Sequence, residues 1–323
     1  MAVSTDPSEE RTYHATQSAY VLPNDNTEHR RLEAQAERLR ELVGNKIVHA
    51  PLEAPSVNKI VEIGCGTGIT TDEFGATYSQ ARVFGVDLSP VPALRPKPKN
   101  VEYIQGDVFE LKTSSSDERL ARGSFDYVFS RALIAGMNKW DEYLKLCVAL
   151  AKPGAWIEMH EPDLTLHLTP PASGNAYDSY SRNPSLEELE VETLSVGKDP
   201  VSWRTALQSL FRSCGLDSSI GSQLPKHFED AGLEDIRIER YVFPYGTWEG
   251  MTDAQRRYAP INEAFVRNDL PHLIRKLASV TGSMSDEEAE RIIEDSKAFV
   301  TRYNGNREFG WIYVVCGRKQ QAG

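Results

Sequence analysis

The sequence has few cysteines, no long apolar run and a deficit of basic charge. Its four cysteines, at positions 65, 147, 214 and 316, lie far apart and form no Cys-x-x-Cys pair, which argues against a disulfide framework and against a zinc site. No stretch approaches the roughly 18–20 apolar residues that a membrane-spanning helix needs, and the polar N-terminal segment lacks the apolar core of a secretory signal. We therefore expect a soluble, cytoplasmic protein that does not associate with membranes, with the nucleus as an alternative location.

Acidic residues outnumber basic ones, 47 to 36, so the formal net charge is −11. Proteins whose main partner is a nucleic acid usually present clustered Lys and Arg, so this balance disfavours DNA or RNA as a partner. Hydrophobic residues make up 40% of the 323 residues, which is enough for a sizeable core and too many for a disordered chain. The length fits two domains or one large α/β domain with insertions.

Short apolar runs alternate with helical patterns along the first half of the chain. We predict strands at 59–63, 81–86, 101–105, 125–129 and 155–159, and helices at about 25–44, 67–78 and 139–151. A helix near 223–231, a strand near 236–243, a helix beginning at Ser285 and a strand at 311–316 follow. Four prolines between residues 89 and 100 predict that any helix in that connection is short. This alternation predicts a mostly parallel α/β sheet with helices on both faces.

The pattern predicts one core interrupted by two insertions. Residues 1–54 form an N-terminal arm and helix, which we predict to lie over the cofactor. The core comprises 55–163 with 222–243 and 309–318. Residues 164–221 and 244–308 are predicted helical insertions that cap the substrate.

The strongest motif is the glycine loop Glu62-Ile-Gly64-Cys65-Gly66-Thr-Gly68, between a predicted strand and a predicted helix. At such a turn, backbone N–H groups and a helix N-terminus face a ligand, and glycines allow its close approach. The spacing does not meet the dinucleotide pattern Gly-x-Gly-x-x-Gly. Glu62 would repel a pyrophosphate, but a carboxylate suits a ligand with an ammonium group. The loop thus favours S-adenosyl-L-methionine as the cofactor, and the alternative is a tight turn that binds no ligand.

Two aspartates follow the next two predicted strands. Asp87 lies 19 residues after Gly68, where a carboxylate accepts both hydroxyls of a ribose in Rossmann-type sites. Asp107 is placed to accept from an adenine amino group while the backbone of Val108 reads the ring edge. The alternatives are an N-cap role for Asp87 and a cap or turn role for Asp107.

The segments EIGCGTG, GVDLSP, GDVFE, FDYVFSR and LAKPGAWIEMHEPD resemble the successive motifs of class I S-adenosylmethionine-dependent methyltransferases. The segment from Tyr20 to Gln35 is similar to the opening of fungal secondary-metabolism methyltransferases related to the velvet-complex regulator. That resemblance continues through LPKHFEDAGLEDIRIERYVFPYGTW and covers most of the chain except parts of the insertions. Ala36, Ala132 and Asn138 depart from the subgroup pattern, so the substrate is left open.

The resemblance implies a Rossmann-like seven-stranded sheet whose last strand, 311–316, is antiparallel. It also implies S-adenosyl-L-methionine as methyl donor, S-adenosyl-L-homocysteine as product, and Tyr20 as a lid residue. The complete set of predicted cofactor-binding residues is Tyr20, Glu62, Gly64, Cys65, Gly66, Asp87, Leu88, Asp107, Val108, Ser130 and Arg131.

The methyl acceptor is expected at the carboxyl ends of the fourth and fifth strands, where Ser130, Arg131 and Asp163 also lie. Methyl transfer is an in-line displacement, so the protein mainly aligns the acceptor and, where needed, removes its proton. We predict catalytic roles for His160, whose ordinary pKa is about 6.5, and for Glu161. The alternatives are a hydrogen-bonded histidine at a strand end and a Glu161 that caps the following turn. Arg131 either holds a carboxylate or pairs with Glu161.

The insertions are rich in aromatic residues that suit a small apolar acceptor or simply pack the cap. They are Tyr177, Trp203, Phe243, Tyr245, Trp248 and Tyr258; His167 is a further, weaker catalytic candidate. We predict no metal site, because no His/Cys/Asp cluster has ligand spacing and Glu158 with His160 on one strand is a poor basis for one.

The leading functional hypothesis is an enzyme that methylates a small secondary metabolite. The first alternative is a regulatory methyltransferase-like protein that works in a protein complex, although no charge block or extended tail indicates a protein partner. The second alternative keeps the fold and catalyses a cyclisation or elimination without methyl transfer.

Overall fold

The computed structural model describes residues 25–113, 118–168, 203–302 and 308–321. The strands are β1 (Lys59–Ile63), β2 (Arg82–Asp87), β3 (Val101–Gln105), β4 (Phe125–Arg131), β5 (Ala151–Leu168), β6 (Leu233–Pro244) and β7 (Glu308–Lys319). The helices of the first half are α1 (Asn26–Leu42), α2 (Ile69–Thr77), α3 (Val108–Thr113) and α4 (Trp140–Leu150). Those of the second half are α5 (Trp203–Ser213), α6 (Ile220–Asp230), α7 (Asp253–Ala264), α8 (Leu270–Thr281) and α9 (Asp286–Arg302), with a π-helical turn at Phe265–Asp269 between α7 and α8.

All seven strands form one sheet in the order β3-β2-β1-β4-β5-β7-β6. The first five strands are parallel to one another, whereas β7 runs antiparallel to both β5 and β6. The predicted mostly parallel α/β sheet with an antiparallel last strand is therefore confirmed. Among the described helices, none combines the length and the apolar character needed to cross a bilayer.

Each face of the sheet is covered by its own apolar cluster, because successive strand residues point to opposite faces. Ile60 packs with Phe74 of α2 on one face. Val61, the next residue, joins the larger cluster on the other face, which also contains Tyr143 of α4 and Phe228 of α6. The helices α5, α7, α8 and α9 extend this larger cluster beyond the sheet.

Local signals fix several element boundaries. The Asp25 carboxylate accepts from the Glu28 N–H at 2.8 Å and begins α1, and Gly44 has a φ of +81° just after that helix. At α9, the Glu288 N–H donates to the Ser285 hydroxyl oxygen at 3.3 Å, as the capping spacing predicts. The proline-rich connection at residues 88–100 contains no helix.

The main difference from the predicted elements is the length of β5. Its pairing with β7 continues from Trp156 to Leu168, which lies beyond the predicted end of the core at residue 163. The irregular register between Asp163 and His167 marks the place where the strand leaves the regular sheet. The strand therefore carries the chain from the sheet into the cap.

Candidate functional site

The glycine loop between β1 and α2 adopts a conformation that favours glycine. Gly64, Gly66 and Gly68 have φ angles of +72°, +55° and +75°. A Cβ on Gly64 would lie 2.3 Å from the Leu133 Cδ2 atom, so a side chain there would force Leu133 to move in addition to adopting an unfavourable conformation. The Gly64 N–H donates to the Val86 carbonyl at 2.8 Å and anchors the loop to the end of β2.

Glu62 is the penultimate residue of β1; its carboxyl group is buried, the residue is 3% exposed, and it lines the cavity described below. Its carboxylate accepts a hydrogen bond from the Thr71 hydroxyl, and it makes no ion pair within the described ranges. Burial raises its pKa to about 7, although the charge of Arg131 opposes this shift. Because Glu62 forms no ion pair within the described ranges, a ligand ammonium group could take the place beside its carboxylate.

Asp87 and Asp107 are held at the ends of β2 and β3 by backbone N–H groups. The Asp87 carboxylate accepts from the Gly66 N–H at 2.8 Å and from the Ser89 N–H at 2.9 Å. The Asp107 carboxylate accepts from the Phe109 N–H at 2.8 Å, which is the capping contact of α3. Both carboxylates thus make the backbone contacts expected of helix-cap or turn residues, which were the alternative interpretations, and both residues also line the cavity.

A cavity of about 530 Å³ lies over the carboxyl ends of the parallel strands. This volume is in the range of ligand sites. It is bounded by α1, the glycine loop, the loop after β4, α5 and the cap helices. The predicted cofactor residues that line it are Glu62, Gly64, Cys65, Gly66, Asp87, Leu88, Asp107, Val108 and Arg131.

One predicted cofactor residue that the structure describes, Ser130, is not in this lining. Ser130 is 1% exposed and is buried within the sheet at the end of β4. Tyr20 lies outside the described residues. Arg131, the next residue after Ser130, lines the cavity and donates to the Thr70 hydroxyl at 2.7 Å. Its charge acts on Glu62 rather than on Glu161.

His160 belongs to a buried hydrogen-bonded network on the far side of β5 from Glu161. Its Nε2 lies 2.6 Å from Glu158 Oε1, and the Glu158 carboxylate also accepts from the His49 N–H and the Ala50 N–H. Burial lowers the pKa of His160 to about 4. Burial alone would raise the pKa of Glu158, but the hydrogen bonds from His160 and His49 hold it well below its usual range. The neutral imidazole thus donates through Nε2 to Glu158. These contacts match the alternative interpretation of His160 as a hydrogen-bonded histidine at a strand end.

The structure adds His49 to the pair Glu158 and His160. One potential ligand atom from each of the three buried residues lies within 4.8 Å of the others. The sequence did not suggest this group, since His49 is 109 positions from Glu158. The hydrogen bonds that converge on Glu158 account for the placement of both imidazoles.

Glu161 is fully buried and holds the loop that follows β4. Its Oε1 accepts from the Leu133 N–H at 2.8 Å and its Oε2 from the Ile134 N–H at 3.0 Å. Desolvation raises its pKa to about 8. Neither Glu161 nor His160 is among the residues that line the cavity. The predicted catalytic roles of both residues therefore stay predictions without support from the geometry.

The cavity continues into an aromatic region formed by the cap. Trp203, Phe243 and Tyr245 line it, whereas Trp248 and Tyr258 are buried outside the lining. Of the other predicted residues, Tyr177 lies outside the described residues. His167 stacks on Phe309 with ring centroids 5.5 Å apart, and Asp163 accepts from the Thr165 N–H at 2.8 Å.

Several lining residues carry no motif and were missed by sequence reasoning. Helix α1 contributes one wall, including Leu32 and Gln35, and the Glu33 carboxylate fastens this helix to Arg95 at 2.6 Å and to the Thr67 hydroxyl of the glycine loop. Helix α5 contributes Arg204, for which the local sequence gives no signal.

A comparison with known protein families agrees with the motif order, the strand order and the position of the cavity. A profile of the family described as "Methyltransferase domain" matches residues 28–236, more than half of the chain. The chain belongs to the methyltransferase-domain family. The matched range runs from α1 through the glycine loop and into β6, and the predicted membership among methyltransferases is confirmed.

Relatives of this methyltransferase domain come from fungi. The chain is 25% identical over 241 residues to the methyltransferase pytC of Aspergillus terreus, covering 73% of this chain and 63% of that protein. It is 30% identical over 240 residues to the secondary metabolism regulator laeA of Monascus pilosus, covering 74% of this chain and 58% of the relative. Each alignment thus spans less than two thirds of the relative's length.

Solved methyltransferase structures also align with the chain. One is phosphoethanolamine N-methyltransferase 2 of Haemonchus contortus in complex with S-adenosyl-L-methionine, with 15% identity, a TM-score of 0.46, and coverage of 90% of this chain and 53% of that one.

Proposed function

We propose that this chain binds S-adenosyl-L-methionine in the cavity and transfers its methyl group to a small-molecule acceptor. The observation that carries the proposal is the buried Glu62 carboxyl group, which faces the cavity beside the glycine loop and has no ion-pair partner among the described residues. A carboxylate in that position stabilises an ammonium group, and the methionine end of this cofactor carries one.

The other residues fit the remaining parts of the same cofactor. Asp87 is a fixed carboxylate at the end of β2, suited to accept the hydroxyls of a ribose. Asp107 and the backbone of Val108 are suited to an adenine ring edge. The glycines provide a surface without side chains for the segment between these two ends. When bound, the cofactor supplies an activated methyl group on a sulfonium, so the protein has no leaving group to activate.

The protein's own contribution is alignment and exclusion of water. We propose that Glu161 fixes the loop after β4 through its two backbone contacts, so that this loop forms a rigid wall beside the reacting centre. His160 supports β5 through Glu158 and acts as a positioning residue. The aromatic region around Trp203 and Tyr245 would hold the apolar body of the acceptor.

The test combines a binding titration with a transfer assay. Calorimetric titration with S-adenosyl-L-methionine should give one site per chain, and Asp87→Ala should weaken that binding. Incubation with the methyl-labelled cofactor and a panel of small phenols, acids and amines should then label an acceptor. Equal affinity for Asp87→Ala and the unchanged protein would contradict the ribose assignment, and the absence of cofactor binding would refute the proposal.

A regulatory role is the second candidate, because relatives such as laeA of Monascus pilosus are named as regulators of secondary metabolism. Cofactor binding without label transfer to any small molecule, together with transfer to a protein in a cell extract, would favour this candidate.

A further inference from the structure

The aromatic region of the cavity contains a buried cation that the proposed methyl donor does not use. Arg204 is the second residue of α5, is 6% exposed and lines the cavity. Its guanidinium carbon lies 5.0 Å from the ring centroid of Trp203, 4.7 Å from that of Tyr245 and 4.4 Å from that of Phe299. Three aromatic rings therefore surround the charged group.

The guanidinium of Arg204 lacks hydrogen bonds. Within the described part of the chain, its Nε, Nη1 and Nη2 atoms are buried and have no acceptor at hydrogen-bond distance. Its ion-pair partner among the described residues is Glu308, whose Oε2 lies 3.9 Å from Nη1, too far for a hydrogen bond. Burial lowers the pKa of Arg204 to about 10, so the group is still charged at neutral pH.

A buried guanidinium without hydrogen-bond acceptors costs free energy, and a ligand that accepts its hydrogen bonds would reduce that cost. Cation–π contacts offset part of the cost of taking a guanidinium out of water, but they leave its N–H donors unused. The indole Nε1 of Trp203 is likewise buried with no acceptor among the described residues. Two neighbouring residues of the cavity lining thus carry donors that have no acceptor among the described residues.

This cation is separate from the cation at the cofactor end. Arg131 already donates to Thr70, and the charge of Glu62 acts on it. The groups that act on Arg204 are instead Tyr245 and Glu308. The cavity therefore has an acidic group at the proposed ammonium end and a basic group at the aromatic end.

We propose that Arg204 and Trp203 form an oxyanion-binding subsite of the acceptor pocket, and that the acceptor is an aromatic compound carrying a carboxylate or a phosphate. The planar guanidinium fork matches either oxyanion with two parallel hydrogen bonds, and the indole N–H adds a third donor. The surrounding rings suit an aromatic skeleton. This inference rests on the proposed function, because it names the substrate class of that same site.

The test measures binding of small probes to the protein saturated with S-adenosyl-L-homocysteine. Cinnamate and phenyl phosphate are compared by calorimetry with cinnamamide, which is neutral and has the same skeleton as cinnamate. We expect at least one acid to bind about tenfold or more tightly than the amide, since hydrogen bonds to a charged group are the strong ones. Comparison of the two acids identifies the preferred oxyanion.

Arg204→Met, which keeps an unbranched apolar chain among the rings, should abolish this preference, and Arg204→Lys should restore part of it. Arg212→Gln is the matched control, because Arg212 is an exposed arginine on the same helix, and it should retain the full preference. Thermal unfolding and affinity for S-adenosyl-L-homocysteine report whether each variant is folded with its cofactor end intact.

Three results would overturn the proposal: equal binding of amide and acids, no binding of either acid, or a preference that survives in Arg204→Met. If S-adenosyl-L-homocysteine itself fails to bind the unchanged protein, the proposed function fails instead. The two failures are therefore distinguishable in one set of titrations.

Discussion

The affinity for the cofactor product should depend on pH through one residue. We predict that S-adenosyl-L-homocysteine binds about 15-fold more tightly at about pH 7 than at about pH 5.5, and that Glu62→Gln removes this dependence. The reason is that the ligand ammonium group pairs with the ionised form of Glu62, whereas the buried group in the free protein is largely protonated below its pKa of about 7.

The magnitude follows from that pKa. About 3% of the free protein has an ionised Glu62 at pH 5.5 and about half of it at pH 7, a ratio of about 16 or about 1.6 kcal/mol. An α-amino group of ordinary pKa, about 7.7 or higher, stays mostly protonated over this interval. Binding at pH 7 should also release about half a proton, because the complex holds Glu62 ionised.

The assay is calorimetric titration at a series of pH values, repeated in two buffers with different ionisation enthalpies to count protons. Glu73→Gln is the matched control, because Glu73 is a second carboxylate near Glu62 and is partly exposed. It should keep the pH dependence and move its midpoint slightly to lower pH. A flat profile in the unchanged protein, or a slope that survives in Glu62→Gln, would refute the assignment.

Three further predictions concern the residues that shape the site. Gly64→Ala should lose more cofactor affinity and thermal stability than Gly66→Ala. Both variants carry the cost of roughly 1–2 kcal/mol that a side chain at positive φ imposes, but only at Gly64 does the new Cβ lie 2.3 Å from another side chain. Glu161→Gln should lower the free energy of unfolding by about 1–3 kcal/mol in denaturant titrations above about pH 8, where Glu161 is ionised, because one backbone N–H would then face an amide NH₂ group. The free energy of unfolding should rise by up to about 3 kcal/mol between about pH 4 and about pH 6.5, because His160 takes up a proton more readily in the unfolded chain. The variant His160→Gln should flatten that rise.

Each of these has a result that counts against it. Equal losses for the two glycine variants would show that space at Gly64 is not limiting. A Glu161→Gln protein as stable as the original would mean that its two backbone contacts contribute little. An unchanged pH profile in the His160 variant would assign the stability change to other groups.

The sequence predicts well those parts of this fold that are determined by residues close together in the chain. The apolar run before Gly64 and the glycines after it specify a strand, a turn and a helix locally, and three of the positive φ angles lie where the glycines are. The ends of β2 and β3 follow in the same way, because Asp87 and Asp107 come directly after apolar runs. The sequence therefore predicts the half of the cavity lining that we propose for the cofactor.

The parts that sequence missed depend on contacts between distant positions. The role of Glu161 turns on which backbone N–H groups lie within its reach, and these belong to residues 27 and 28 positions away. His49 joins Glu158 across 109 positions. Arg204 belongs to an amphipathic helix whose sequence predicts a buried face but cannot tell which cavity that face meets.

The position of β7 between β5 and the edge strand β6 has a consequence for how the protein is made. It is the sheet partner of β6 and joins that strand to β5, so neither contact exists on the ribosome until residues 308–319 have been synthesised. A nascent chain that already carries the glycine loop and the cap helices thus still exposes two unpaired strand edges, which are templates for wrong pairing. Chaperone demand and aggregation during expression should therefore depend on this late strand, and its truncation should be far more damaging than its distance from the cavity suggests.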